Sequence, residues 1–377
     1  MCHLARLLVA MAAGAVFGSF APCGAIRVLN SFGGSFAELV KFIVPLIIVG
    51  LVTPAIANAG RNAGRMLVAT MSLAYASTIL AGVFGFTVAD SLFPRILSGA
   101  LVEQESAPSF PAYFVLKIPP VMGVVSAMAL AFVFGLAMAK LRSKALSSVF
   151  DEMKDVVTLA ISKAVVPLLP FYIFSVVADL SARGTLRLAG SESLKIAATA
   201  FATTVVLLVV QYIVAGVAAG RNPLKALWTM LPAYFTGLGC CSSAATIPVT
   251  LRQVKANGVG EETADLVVPL CANIHLAGSM AKIVVFATGF TVLAGRPPSI
   301  AAFAQFIFLI SILAVAAPGV PGGMVLAAAP IAESVLGIPP HHYAILIAAY
   351  LSIDGVGTAC NLTGDGAIAL IVDKMKG

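Results

Sequence analysis

Charge is what this sequence lacks. Asp, Glu, Lys and Arg make up 10% of its 377 residues, while 60% are apolar. A soluble domain carries roughly 25% charged residues. A chain this poor in charge cannot cover a water-facing surface, which excludes an ordinary soluble enzyme, a disordered protein and a nucleic-acid binder. Paired cysteine motifs are missing too. Cys2, Cys23, Cys240, Cys241, Cys271 and Cys360 form no C-x-x-C pair and no metal spacing with histidine. No disulfide framework, structural zinc or cofactor is expected. The composition leaves a polytopic membrane protein.

What is present is a series of long apolar stretches. A helical span needs about 20 apolar residues, and the stretches are too long for barrel strands. Spans are predicted at 4–22, 36–59, 66–93, 119–140, 157–181, 192–218 and 266–293, with an eighth at 343–372 that polar residues interrupt. The first stretch is read as a span rather than a cleaved signal, because later segments are equally apolar. Lys and Arg gather at residues 61–65, 140–154, 221–225, 252–255 and 374–376. Such excess marks the cytoplasmic side, so both termini are placed inside.

Two segments do not read as simple spans. Segment 231–257 has an apolar arm, a small polar tip and a basic exit; segment 300–338 has two apolar arms around Pro318-Gly319-Val320-Pro321-Gly322-Gly323. Pro and Gly break helices, and broken backbone is tolerated at membrane depth only where it is buried or lines a cavity. Both are read as re-entrant helical hairpins. The order hairpin, span, hairpin, span then repeats across 231–293 and 300–372, and corresponding broken segments in two halves point to a transport site near the midplane.

Asp354, Thr358, Asn361 and Asp365 stand at i, i+4, i+7 and i+11 in the last span. At 3.6 residues per turn they form one stripe. An unpaired carboxylate in hydrocarbon costs at least about 2.5–3.5 kcal/mol, and such groups bind ions, substrate or protons. The seventh span has its own break at 273–279. There His275, Ser279 and Lys282 at i, i+4 and i+7 share a face that carboxylates of the eighth span are placed to neutralise. Hairpin tips offer free amides and positive helix-dipole ends, which suit a substrate carboxylate. An intramembrane aspartyl protease is disfavoured: eleven helical positions separate Asp354 and Asp365 by about 16 Å, where a dyad needs about 3 Å. A serine protease on Ser242 and His275 lacks a nucleophile elbow. A channel lined by the polar stripe is the other alternative; saturable, gradient-dependent exchange separates it from a transporter.

The segments SSAATIPVT (242–250), GVPGG (319–323) and DGVGTACNLTGD (354–365) resemble the dicarboxylate/amino acid:cation symporter family. Lys41 and Pro45 in KFIVP and Leu169-Pro170-Phe171 are similar to it more weakly. The resemblance implies an all-α polytopic fold of eight transmembrane helices plus two re-entrant hairpins arranged as inverted repeats, in a homotrimer in the bacterial inner membrane, surrounded by lipid. It implies a scaffold at about 4–60 and 110–185 and a mobile transport core at about 66–95 and 190–377, moving as an elevator. Substrate-binding residues carried over are Ser242, Ser243, Ser279, Val320, Asp354, Thr358 and Asn361, with Asp354 taking the substrate amino group. Asn361 and Asp365 match a sodium site; Tyr75 and Thr78 match third-span groups near another.

Departures shape the expectation. The family's N-M-D-G-T is here His275-Leu276-Ala277-Gly278-Ser279, and an imidazole is a poor ligand for a hard cation. A proton on His275 or a fixed charge on Lys282 is the candidate replacement for one ion. Glycine at 357 and cysteine at 241 stand where acidic-substrate members carry arginine. The expectation is therefore a cation-coupled symporter, not an enzyme, moving a small carboxylate-bearing solute such as serine, threonine or alanine. The alternative is a dicarboxylate or acidic amino acid, coupled to protons rather than sodium and held by Lys282.

Overall fold

The computed structural model describes residues 3–54, 56–57, 65–97, 110–141, 143–184, 186–240, 242–296, 298–316, 323–338, 346–347, 349–351 and 353–376. Among these residues there is no strand. In lipid a helix satisfies every backbone group within its own segment, and these apolar runs take that solution. Segments Met66–Ile96, Gly190–Ala219, Glu261–Leu293 and Asp354–Lys376 are long and apolar enough to cross a membrane.

Helix α1 (His3–Phe20) lies along α6 (Val166–Ala182), and Ser181 Oγ donates to the Ala15 carbonyl at 2.7 Å. Helix α2 (Cys23–Ile47) packs on the same α6. Asn30 Nδ2 donates to Asp179 Oδ1 at 2.8 Å, and Arg183 pairs with the other oxygen at 2.6 Å. An extended strap, 110–122, runs over α2: Tyr113 and Leu116 donate their amides to Ser31 and Ser35, and the Arg27 guanidinium covers the Tyr113 ring at 4.2 Å. Pro45 lacks an amide donor, and α2 loosens into a π-turn at Ile48–Val52 just after it. Helices α4 (Val124–Leu141) and α5 (Lys144–Ala160) complete this part; a second π-turn, Ile161–Val165, joins α5 to α6.

Helix α3 (Arg65–Ile96) and α7 (Leu186–Ala219) both pack on α12 (Ala277–Leu293), and α7 also packs on α15 (Asp354–Lys376). Tyr212 of α7 donates to the Thr363 carbonyl at 2.7 Å. Short α8 (Pro223–Thr229) leads to α9 (Leu231–Cys240) and α10 (Ser243–Ala256), the two arms of the first hairpin segment; both pack on α15. Helix α11 (Glu261–Ile274) follows, then α12 after a break. Helices α13 (Ile300–Ala316) and α14 (Gly323–Leu336) pack on each other as the arms of the second. Its tip, with Val320, lies outside the described residues. Both α12 and α15 are buried along nearly their whole length, so their polar residues face protein.

At one end, ion pairs tie the helix ends together. Lys255 reaches Glu261 at 3.1 Å and Asp265 at 2.9 Å, Lys376 pairs with Glu262, and Asp373 accepts the Gly260 amide at 3.1 Å. The carboxylates of Asp265 and then Glu261 hold the Lys255 ammonium above its ordinary value. These exposed pairs orient helix ends more than they stabilise them.

Helix boundaries differ from the hydropathy reading where polar residues face protein. Helix α2 begins at Cys23 rather than near residue 36, because Arg27, Asn30, Ser31 and Ser35 bond to the strap and to α6 instead of meeting lipid. The predicted span 157–181 has an amphipathic leader, α5, starting at Lys144. The predicted span 266–293 is two helices, and the helix in the predicted 343–372 starts at Asp354.

Candidate functional site

Helix α11 stops at Ile274, and α12 starts at Ala277. His275 is extended (φ −98°, ψ 98°) and Leu276 has φ −119°, ψ 37°. A helix start leaves its first amides without intrahelical partners, and here the start is buried. The amides are met from neighbouring helices. Asn361 Oδ1 of α15 accepts from the Gly278 amide at 2.8 Å and the Ser279 amide at 3.2 Å. These are the second and third positions of α12, the pair that an ordinary N-cap side chain serves. Leu276 donates its amide to Thr78 Oγ1 of α3 at 3.3 Å. A Cβ at Gly278 would sit 2.7 Å from Cys360 Sγ and 2.9 Å from the Gly357 carbonyl, so glycine is what lets α12 and α15 touch here.

Three polar pairs then join α12 to α15 in antiparallel register. His275 Nδ1 lies 2.9 Å from Asp365 Oδ1. Ser279 Oγ accepts from Asn361 Nδ2 at 3.0 Å. Lys282 Nζ lies 3.2 Å from Asp354 Oδ1. His275 in the break and Ser279 and Lys282 on α12 thus meet the i+11, i+7, i stripe of α15 in order; only the last two lie on one helical face.

The His275 pair extends into a chain. Ser77 Oγ of α3 is 3.0 Å from His275 Nε2 and accepts from Gln211 Nε2 of α7 at 3.0 Å. His275 is fully buried and Asp365 is 1% exposed. Two acceptors in this cluster, Asp365 Oδ2 and Gln211 Oε1, are buried with no hydrogen-bond partner among the described residues. An unpartnered buried carboxylate oxygen is costly and is a hard donor suited to a small cation or a proton. The Asn361 amide oxygen, by contrast, is already committed to two backbone amides.

The other end of the stripe is built differently. The Lys282 side chain is 0% exposed, with Asp354 at 15%. Nζ also donates to the Ile353 carbonyl at 3.2 Å and the Asp354 carbonyl at 3.4 Å, and it lies 3.6 Å from the centroid of the Tyr350 ring. Thr358 stands half-buried between the two ends. Ser242 and Ser243 are half-buried at the joint of α9 and α10, where Thr246 Oγ1 donates to both of their carbonyls. Tyr75 is half-buried on α3.

The structure thus joins Ser279, His275, Lys282, Asp354, Asn361 and Asp365 directly. Sequence reasoning did not single out Ser77, Gln211 or Tyr350. Gln211 carries a signal: it interrupts the apolar run Val205–Val214.

The chain matches the family described as Sodium:dicarboxylate symporter family over residues 4–375. It is 26% identical over 365 residues to a protein named Serine/threonine transporter SstT from Acinetobacter baylyi, covering 91% of this chain and 90% of that one. It is 27% identical over 353 residues to a Serine/threonine transporter SstT from Streptococcus thermophilus, covering 88% and 85%. The match spans the polar pairs of α12 and α15 and the hairpin helices packed against them. The chain is therefore an integral membrane transporter and not an enzyme: it belongs to the sodium:dicarboxylate symporter family.

Proposed function

We propose that this protein is a secondary active symporter that uses a cation gradient to move a small carboxylate-bearing solute. The observation that carries the proposal is the buried stripe on α15, with Asp354 at one end and the unpartnered Asp365 Oδ2 at the other. The coupling cation, sodium or a proton, binds at the Asp365 end, beside Asn361 and His275. The solute binds at the Asp354 end, against Thr358, Ser279, Ser242 and Ser243, with Val320 of the second hairpin segment as a further contact.

The relatives' names point to serine and threonine, and the family description to dicarboxylates. Gly357 leaves that turn of α15 without a cation for a second carboxylate, which favours one carboxylate over two. Substrate and cation together bias closure of the second hairpin, since a ligand shifts an equilibrium only by its differential affinity. Helices α1 and α2, each packed on α6, act with it as the scaffold, together with α4 and α5. Helices α3 and α7 to α15 move as the transport core, one per protomer of a homotrimer in the bacterial inner membrane. Both termini face the cytoplasm.

Uptake by purified protein in liposomes tests this, with inward sodium and proton gradients imposed separately. Saturable, gradient-driven accumulation is expected under one of them, and Asp365→Asn is expected to abolish the dependence on the gradient. Non-saturable flux would assign a channel instead.

A further inference from the structure

Lys282 does something that coupled carboxylate uptake does not require. It fills an ammonium site. An ammonium has three donors, and three oxygens surround Nζ: Asp354 Oδ1 at 3.2 Å, the Ile353 carbonyl at 3.2 Å and the Asp354 carbonyl at 3.4 Å. The Tyr350 ring face lies 3.6 Å away on another side, a further preference of cations. A carboxylate, two carbonyls and an aromatic face are what an α-amino acid's ammonium would seek.

Gly357 makes this possible. A Cβ there would lie 3.3 Å from Lys282 Cε and 3.0 Å from Ser279 Oγ, so any larger residue would crowd the lysine stem. Glycine at 357 and lysine at 282 are therefore one device.

The charge count follows. Asp354 and Lys282 sum to zero. A zwitterion's ammonium would have to evict Lys282 from Asp354 and leave that buried ammonium without its carboxylate partner. A hydroxyl or hydrogen in the same place meets no such competition. Lys282 is also the only buried lysine or arginine among the described residues, and the whole of 300–338 carries neither. Among the described residues, a second solute carboxylate would find no further buried lysine or arginine.

We infer that Lys282 is a tethered ammonium standing in for the solute's own, and that the site takes a small monocarboxylate without an amino group, such as a 2-hydroxy acid. The inference rests on the reading of this protein as a carboxylate symporter with its solute at Asp354. In that scheme Lys282 determines specificity, because it decides which solutes Asp354 can accept.

The test is uptake by the full-length protein in liposomes under inward sodium and proton gradients. Lactate is compared with alanine and glycerate with serine, pairs that differ only in hydroxyl for amine, with succinate as the two-carboxylate probe. The wild type is expected to prefer each hydroxy acid to its amine twin and to succinate by about tenfold or more, with excess serine failing to compete. Lys282→Met vacates the ammonium site and is expected to shift preference toward alanine and serine by about tenfold or more, a gain that a merely structural lysine would not produce. Lys282→Arg, which keeps the charge, is expected to keep refusing amines. Serine or alanine uptake by the wild type at rates matching the hydroxy acids would overturn the inference while leaving the symporter reading standing. So would an unchanged preference in folded Lys282→Met. If that variant does not fold, the wild-type panel and Lys282→Arg decide. Uptake of none of these solutes under either gradient would overturn both.

Discussion

His275 Nδ1 and Asp365 Oδ1 meet at 2.9 Å across a gap of ninety residues in sequence, with both side chains buried. Asp365 keeps its second oxygen unpartnered among the described residues, and Ser77 occupies the other imidazole nitrogen. Removing the ring would leave a buried carboxylate without its hydrogen-bond partner among the described residues. His275→Ala is expected to cost about 3–5 kcal/mol, read from unfolding in detergent, and Asp365→Asn to cost less, because the amide retains an acceptor for the ring.

Asn361 serves α12 as a cap from outside the helix. Asn361→Ala leaves the Gly278 and Ser279 amides without their acceptor. Each unmet buried donor costs about 1–3 kcal/mol. A large fall in melting temperature is expected, with Asn361→Asp, which keeps an oxygen acceptor, falling less.

Gly278→Ala puts a methyl into Cys360. Overpacking of this kind costs about 1–3 kcal/mol. The double variant Gly278→Ala, Cys360→Gly is expected to recover part of that loss in the same melting experiment, because the clash is with the cysteine side chain as well as the Gly357 carbonyl.

Asp354 and Lys282 are predicted to be strongly non-additive. Either Asp354→Asn or Lys282→Met strands a buried charge, at about 3–5 kcal/mol each. The double variant strands none, so its loss should be smaller than the sum of the two, as a double-mutant cycle on unfolding free energies would show. Additive losses would mean the pair is not coupled.

Much of this site was legible because it obeys helical spacing. The stripe 354, 358, 361, 365 and the face 275, 279, 282 are both visible as i, i+4, i+7 patterns against apolar neighbours. Their shared register was not legible, since it depends on where α12 restarts after Leu276 and on a glycine at 278 thin enough for contact. The Tyr350 face over Lys282 was hidden for the same reason: it comes from the residues just before α15, outside either pattern. Hydropathy misplaced the start of α2, because it prices Arg27 and Asn30 as if they met lipid when they bond to a strap eighty residues away. The same blindness hid α5, whose charged residues mark an amphipathic helix rather than a loop.

The three rungs between α12 and α15 also limit how this protein can move. Sliding one helix past the other by a single turn would set Lys282 against Thr358, Ser279 against Asp365 and His275 against Ala369, three mismatches at once in a buried interior. The three contacts are therefore expected to persist through any rearrangement that carries cargo across, which a disulfide or distance probe between α12 and α15 would check.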